Sequence, residues 1–122
     1  AEEVLKAYLS ARKVVSIMGD GSFQMSLFEL ATIIQEGLKP LIILFNNSKL
    51  GMVHEMQYKK YNKEYGVDLT ANPDFIMLAK AYGIQATQIN NPEHIVDILK
   101  QGLDYDGPFL IECIVSPRES TL

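Results

Sequence analysis

Short apolar runs alternate along this chain with stretches in which apolar residues recur every three or four positions, and the alternation lays out its elements. Val4, Leu5, Tyr8 and Leu9 fall at helical spacing and predict a short helix over residues 2–10, packed on the strand that follows. Val14-Val15-Ser16-Ile17-Met18 predicts that strand, residues 13–18, apolar on both faces as a central strand of a helix-covered parallel sheet would be. Ser26 and Glu29 have the spacing of a capping box, which places a helix start near residue 26, with Gly37 and Pro40 as its stop. Along that helix Met25, Leu27, Phe28, Leu30, Ala31, Ile33 and Ile34 cover more than half the circumference. An outer helix of a lone domain needs one apolar stripe, so this one is expected to meet a partner subunit or a neighbouring domain as well as its own sheet.

Leu41-Ile42-Ile43-Leu44-Phe45 is the second strand, residues 41–45. The polar, aromatic stretch from Asn46 to Asn72 is too long for an ordinary connection. Residues 50–57 read as a short helix, and the rest as a mobile loop that orders over a ligand or partner. Asn72-Pro73-Asp74 begins a helix over 74–82 that ends at Gly83, and Ala86-Thr87-Gln88-Ile89 reads as a strand. Asn91-Pro92-Glu93 opens a helix through about Leu103, Tyr105-Asp106-Gly107-Pro108 is a turn, and Phe109 to Val115 is the last strand. This order predicts an α/β fold, a mostly parallel sheet flanked by helices on both faces. Without a repeat, low-complexity tract or linker, residues 1–122 read as one domain. The start at Ala1-Glu2-Glu3, lacking both methionine and a signal-peptide pattern, leads us to expect a fragment of a longer chain.

Composition narrows the classes of function. The hydrophobic fraction of 48% and charged fraction of 21% are ordinary globular values. A net charge of −4 without a basic cluster argues against nucleic acid or an anionic membrane as partner. No apolar run approaches the roughly 20 residues needed to span a bilayer. Cys113, the single cysteine, excludes an internal disulfide framework and fits a reducing, cytoplasmic setting.

The chemistry gathers where the first two strands end. Gly19-Asp20-Gly21-Ser22-Phe23 sets a carboxylate between glycines at the carboxyl end of one strand, and Asn46-Asn47 ends the next. In open parallel sheets ligands sit at this edge, where loops bring backbone amides close to a charged group. If the two strands are parallel neighbours, Asp20 and Asn47 can face one point. One carboxylate and one amide oxygen, with room left for phosphate oxygens and water, is how magnesium is commonly held. Either motif alone is equally a turn; together they read as a metal-diphosphate site.

With Glu29-Leu30-Ala31-Thr32 and Asn46-Asn47-Ser48-Lys49-Leu50-Gly51-Met52-Val53, the pattern resembles the signature of thiamine diphosphate enzymes. It resembles more narrowly the carboxyl-terminal, diphosphate-binding domain of the acetolactate synthase catalytic subunit. The likeness runs on through Asp74-Phe75, Leu78-Ala79-Lys80-Ala81-Tyr82-Gly83 and Gly107-Pro108-Phe109-Leu110-Ile111-Glu112, and so covers nearly the whole chain. It implies that magnesium is held by Asp20, Asn47 and the backbone carbonyl of Lys49, with diphosphate oxygens and a water completing the shell. It implies further that Gly19, Gly21, Ser22, Gly51 and Met52 offer amides or a hydroxyl to the phosphates, and that Met25, Met52 and Met56 face the substrate side. Met25 reads equally as adaptable core filler.

The resemblance implies a parent enzyme that decarboxylates pyruvate and condenses the product with a second 2-keto acid, in branched-chain amino acid synthesis. The glutamate that activates the aminopyrimidine belongs to another domain across a subunit interface, so no catalytic residue is expected here. Glu29, Glu36 and Glu112 lie outside its family context. A pyrimidine-binding domain and a homo-oligomer follow as partners, and a flavin, FAD, in the full enzyme is left open. At Met56 acetolactate synthases usually carry tryptophan, after Gly-Met-Val. That departure keeps in view other thiamine enzymes: a 2-keto acid decarboxylase, glyoxylate carboligase or sulfoacetaldehyde acetyltransferase. A third reading is a non-enzymatic nucleotide-binding module, although Gly-x-Gly-x-x-Gly and the Walker pattern are absent. His54 and Glu55, an acid-base pair on paper, are expected on the solvent side of a surface helix, His94 is expected in solvent, and Cys113 is expected as inert packing in a buried strand.

Overall fold

The computed structural model describes residues 12–118, so the predicted helix over 2–10 lies outside the described residues. Four strands, β1 (Val15–Gly19), β2 (Leu41–Asn46), β3 (Gln85–Ile89) and β4 (Phe109–Ile114), form one sheet in the order β1-β2-β4-β3. Every pairing is parallel. Parallel neighbours need long crossovers. Helices α1 (Asp20–Met25), α2 (Glu29–Gln35), α3 (Gly51–Tyr61), α4 (Phe75–Ala81) and α5 (Ile95–Asp104) supply them.

Alternation along the strands separates two cores. Ile42, Leu44 and Leu110 pack on one face against Phe23, Leu30 and Phe75 of α1, α2 and α4. Phe23 and Phe75 meet edge to face at 5.6 Å, which ties α1 to α4. On the other face Leu41, Phe109 and Ile111 pack against Ile98 and Leu99 of α5. The sheet is therefore covered by helices on both faces, as the sequence predicts.

The first strand departs from expectation. Among the described residues β1 is an edge, paired only with β2, and Val15 and Ile17 are 43% and 65% exposed. An edge strand with one uncovered apolar face carries the same residue pattern as a central one.

The region after β1 departs as well. α1 begins at Asp20 itself, with Gly19 as its extended N-cap. Ser26 ends that helix instead of starting one: its Oγ donates to the Ser22 carbonyl at 3.1 Å, and its amide to that of Phe23 at 3.0 Å. α2 then starts at Glu29 without a side-chain cap, so the capping box does not form. The expected single apolar helix is two short ones, with Leu30 buried and Met25 and Phe28 exposed. Gly37, at φ +61°, follows α2 in the left-handed region that stops a helix.

The stretch from Asn46 to Asn72 is the third difference. α3 runs past residue 57 to Tyr61 and closes on Asn62 in the left-handed conformation. The expected mobile loop has instead a set course. Val67 is buried, the Leu50 amide donates to Val67 O and the Leu69 amide to Ser48 O, both at 2.8 Å, and Lys49 and Asp68 form an antiparallel bridge. Val67, these main-chain hydrogen bonds and the Lys49 pairs with Glu64 and Asp68 together dock a stretch that reads as polar.

The carboxyl-terminal half follows the prediction closely. Asp74 caps α4, its Oδ1 accepting from the Met77 amide at 2.8 Å, and Gly83 follows the helix at φ +78°. A 3₁₀ turn at Pro92–His94 precedes α5.

Candidate functional site

Gly19 of β1 stands opposite Phe45 of β2 in the parallel register, so Asp20 and Asn46-Asn47 leave the sheet at the same edge. A cleft of about 1010 Å³ opens there. The β1–α1 junction lines it with Gly19, Asp20, Gly21 and Ser22; the turn after β2 adds Asn47 and Lys49; α3 adds Gly51 and Met52. Met25 borders it too. Met56, one turn further along α3, is exposed and is not part of that lining.

Asp20 is 1% exposed. Its Oδ1 accepts from the Gly21 amide at 2.9 Å and its Oδ2 from Asn72 Nδ2 at 2.8 Å. Both donors are neutral, which leaves a buried anion short of positive charge. Gly21 permits the close approach that shapes this corner, because a Cβ there would come 2.6 Å from Leu50 Cδ2. The first turn of α3 has no side-chain cap, so the amides of Gly51 and Met52 at the cleft are open to an anion.

Asn47 Oδ1 accepts from the Lys49 amide at 3.0 Å and keeps a second lone pair. Ser48 between them is held at φ +53°, a conformation non-glycine residues adopt at a cost. The Lys49 ammonium turns into Glu64 and Asp68, each at 3.2 Å, so Lys49 can offer a metal only its main chain. Burial lowers the basicity of that ammonium, but hydrogen bonds to Glu64 and Asp68 outweigh it and hold the group above the usual lysine range. His54 and Glu55 are both half-buried, so the expectation of solvent exposure fails for both; His54 is covered where residues 62–69 fold back over α3 and set Glu64 against it. His94 is exposed. Cys113 is half-buried, and burial, then the neighbouring Glu112 charge, raise its thiol above the usual range.

Sequence reasoning missed Asn72, which donates to both Asp20 Oδ2 and Asn46 Oδ1, the latter at 3.2 Å. It set Glu112 aside as a catalytic glutamate and gave it no other place; the residue is 3% exposed and accepts from Asn46 Nδ2 at 2.7 Å and Gln88 Nε2 at 2.8 Å. One signal was available: a lone carboxylate inside the apolar run Phe109 to Val115 must be buried, and buried charge needs partners. Among the described residues no three His, Cys, Asp or Glu side chains cluster to hold a metal. A cation at Asp20 would thus draw most of its oxygens from amides, main chain and ligand. That donor set fits magnesium bound with a diphosphate.

Residues 4–113 match the family of thiamine pyrophosphate enzymes, in their C-terminal TPP binding domain. The chain is 40% identical over 109 residues to a probable acetolactate synthase large subunit of Methanococcus aeolicus, covering 88% of this chain and 18% of that protein. It is 39% identical over 108 residues to the acetolactate synthase isozyme 2 large subunit of Escherichia coli, covering 88% of this chain and 20% of that one. Among solved structures, a thiamine diphosphate-dependent 4-hydroxybenzoylformate decarboxylase of Rhodococcus jostii superposes with a TM-score of 0.80 at 29% identity, over 86% of this chain and 20% of its own. A benzoylformate decarboxylase from Polynucleobacter necessarius has the same fold, with a TM-score of 0.85 at 24% identity over 98% of this chain and 22% of its own. The chain thus spans about a fifth of the length of these relatives.

Proposed function

Since this chain belongs to the thiamine pyrophosphate enzymes, as their C-terminal TPP-binding domain, we propose that it anchors the magnesium-diphosphate end of the cofactor in an acetolactate synthase-like enzyme. The observation that carries the reading is the cleft at Asp20. Nine of the residues assigned from the sequence border it, and its one buried carboxylate faces two neutral donors. In this reading Asp20, the Asn47 amide oxygen and the Lys49 carbonyl hold magnesium. Gly19, Gly21, Ser22, Gly51 and Met52 supply amides or a hydroxyl to the diphosphate, which suits the uncapped start of α3. Met25 and Met52, at the rim, give the apolar wall on the substrate side.

Bound thiamine diphosphate supplies the electron sink for decarboxylating a 2-keto acid. This chain's residues bind and orient it and exclude water around its charged end. The proton-transferring glutamate is assigned to a pyrimidine-binding domain elsewhere in the same or a partner chain. Glu29 is exposed, and Glu112 is held by amides away from the cleft lining. The parent protein is read as a cytoplasmic homo-oligomer acting on pyruvate, with FAD a further component to be looked for there. The names of the curated relatives favour acetolactate chemistry.

The alternative substrate class is that of simple 2-keto acid decarboxylases, favoured by Met56 in place of an aromatic residue and by the likeness to the Rhodococcus decarboxylase. Two measurements on the full-length protein test these readings. Asp20→Ala is expected to abolish magnesium-dependent thiamine diphosphate binding in calorimetry, and unchanged binding refutes the site. Product analysis from pyruvate is expected to give acetolactate; an aldehyde as sole product moves the assignment to the decarboxylases.

A further inference from the structure

Asp20 and Glu112 are the buried carboxylates among the described residues, and only amide side chains connect them. Glu112 accepts from Gln88 Nε2 and from Asn46 Nδ2. Asn46 Oδ1 accepts from Asn72 Nδ2, which also donates to Asp20 Oδ2. Asn72 Oδ1 accepts in turn from Gln24 Nε2 at 2.9 Å. The series crosses the carboxyl ends of β3, β4 and β2 and reaches the first residue of α1.

An ionised carboxylate only accepts hydrogen bonds, so the two ends dictate how every amide between them is turned. Glu112 demands the NH₂ of Asn46, which points the Asn46 oxygen at Asn72 and at the Ser48 amide, 3.1 Å away. That oxygen and Asp20 Oδ2 together demand the NH₂ of Asn72. Flipping either amide would set oxygen against oxygen. Asp20 therefore has one donor on each oxygen, a fixed carboxylate plane, and its remaining lone pairs free. Groups that hold a ligating side chain from behind change metal affinity by about 10–100-fold when lost.

We propose that Asn72 is a positioning residue of the metal site, oriented by Glu112 through Asn46, which sets the Asp20 carboxylate for a divalent cation. This rests on the reading of Asp20 as a metal ligand. Glu112 lies far from the metal motif in sequence and acts only through the amide series.

The test uses the full-length protein and Mn²⁺ as probe, with free ion followed by electron paramagnetic resonance at saturating thiamine diphosphate. Asn72→Ala is expected to weaken Mn²⁺ binding by about tenfold or more and to alter the spectrum of the bound ion. Turnover should recover at saturating Mg²⁺, which a purely structural role does not predict. Asn72→Leu, branched at the same carbon as Asn and equally without a donor, carries the same comparison should the alanine variant not fold. A folded Asn72 variant with unaltered Mn²⁺ affinity overturns the proposal while leaving the functional reading intact. An unmodified protein that binds neither thiamine diphosphate nor Mn²⁺ overturns both.

Discussion

At Asp20 a buried carboxylate beside the cleft has two neutral donors and, among the described residues, no positively charged side chain, an arrangement that suits a cation. Gly21 beside it contributes by what it lacks, since a methyl group there would collide with Leu50. Cys113 is a contrasting residue, with chemistry silenced by its setting. Burial and the Glu112 charge stabilise its neutral thiol, so its folded pKa lies above the ordinary value near 8.5. The resulting stability is present below that ordinary value and is lost as pH rises through the folded one. Alkylation of Cys113 by iodoacetamide in the native protein is accordingly expected to be negligible at pH 7 and to rise only above the usual thiol range. Labelling at the rate of a free thiol at pH 7 contradicts this.

Elements differ in how far their own residues set them. α4 carries its signals locally, Asp74 at the start and Gly83 after the end, and it forms where they say. The start of α2 does not. Ser26 and Glu29 have the right spacing, yet the Ser26 hydroxyl is taken by Ser22 because α1 already occupies the preceding turn. α5 shows the opposite dependence, seated on the sheet at Gly102. A Cβ there would lie 2.7 Å from Leu41 Cδ1 and 3.1 Å from Ile111 Cδ1, both fully buried. Gly102→Ala is therefore expected to destabilise the protein by about 1–3 kcal/mol through overpacking, despite the better helix propensity of alanine. Urea denaturation checks it; an unchanged or raised midpoint shows that α5 can shift outward.

For the whole molecule, the uneven covering of the sheet matters most. Ile17, Met25, Phe45 and Met52 are 65%, 72%, 42% and 61% exposed, and they border the same cleft that holds Asp20. Apolar surface gathered around a site marks where something else sits, and the chain spans about a fifth of its relatives' length. The chain on its own is expected to bind a hydrophobic dye and to release no carbon dioxide from pyruvate even with thiamine diphosphate and Mg²⁺. Turnover by the isolated chain, measured as carbon dioxide release, overturns the assignment of the proton-transferring glutamate to another domain.

By itself the sequence determined the order of the strands with helices between them, the parallel sheet and the two motifs at the ends of β1 and β2, though not the division of the first crossover into α1 and α2. Those features rest on local periodicity, glycine conformation and residue type, all written within a few positions of one another. It also determined that the apolar positions from Met25 to Ile34 are more than one helix face can bury. Tertiary structure alone decided that β1 is an edge among the described residues, that residues 62–69 dock through Val67, and that Glu112, Asn46 and Asn72 line up behind Asp20. Each depends on which side chains meet across distant parts of the chain, and a hydrogen bond between Asn46 and Glu112 leaves no periodic trace in either segment.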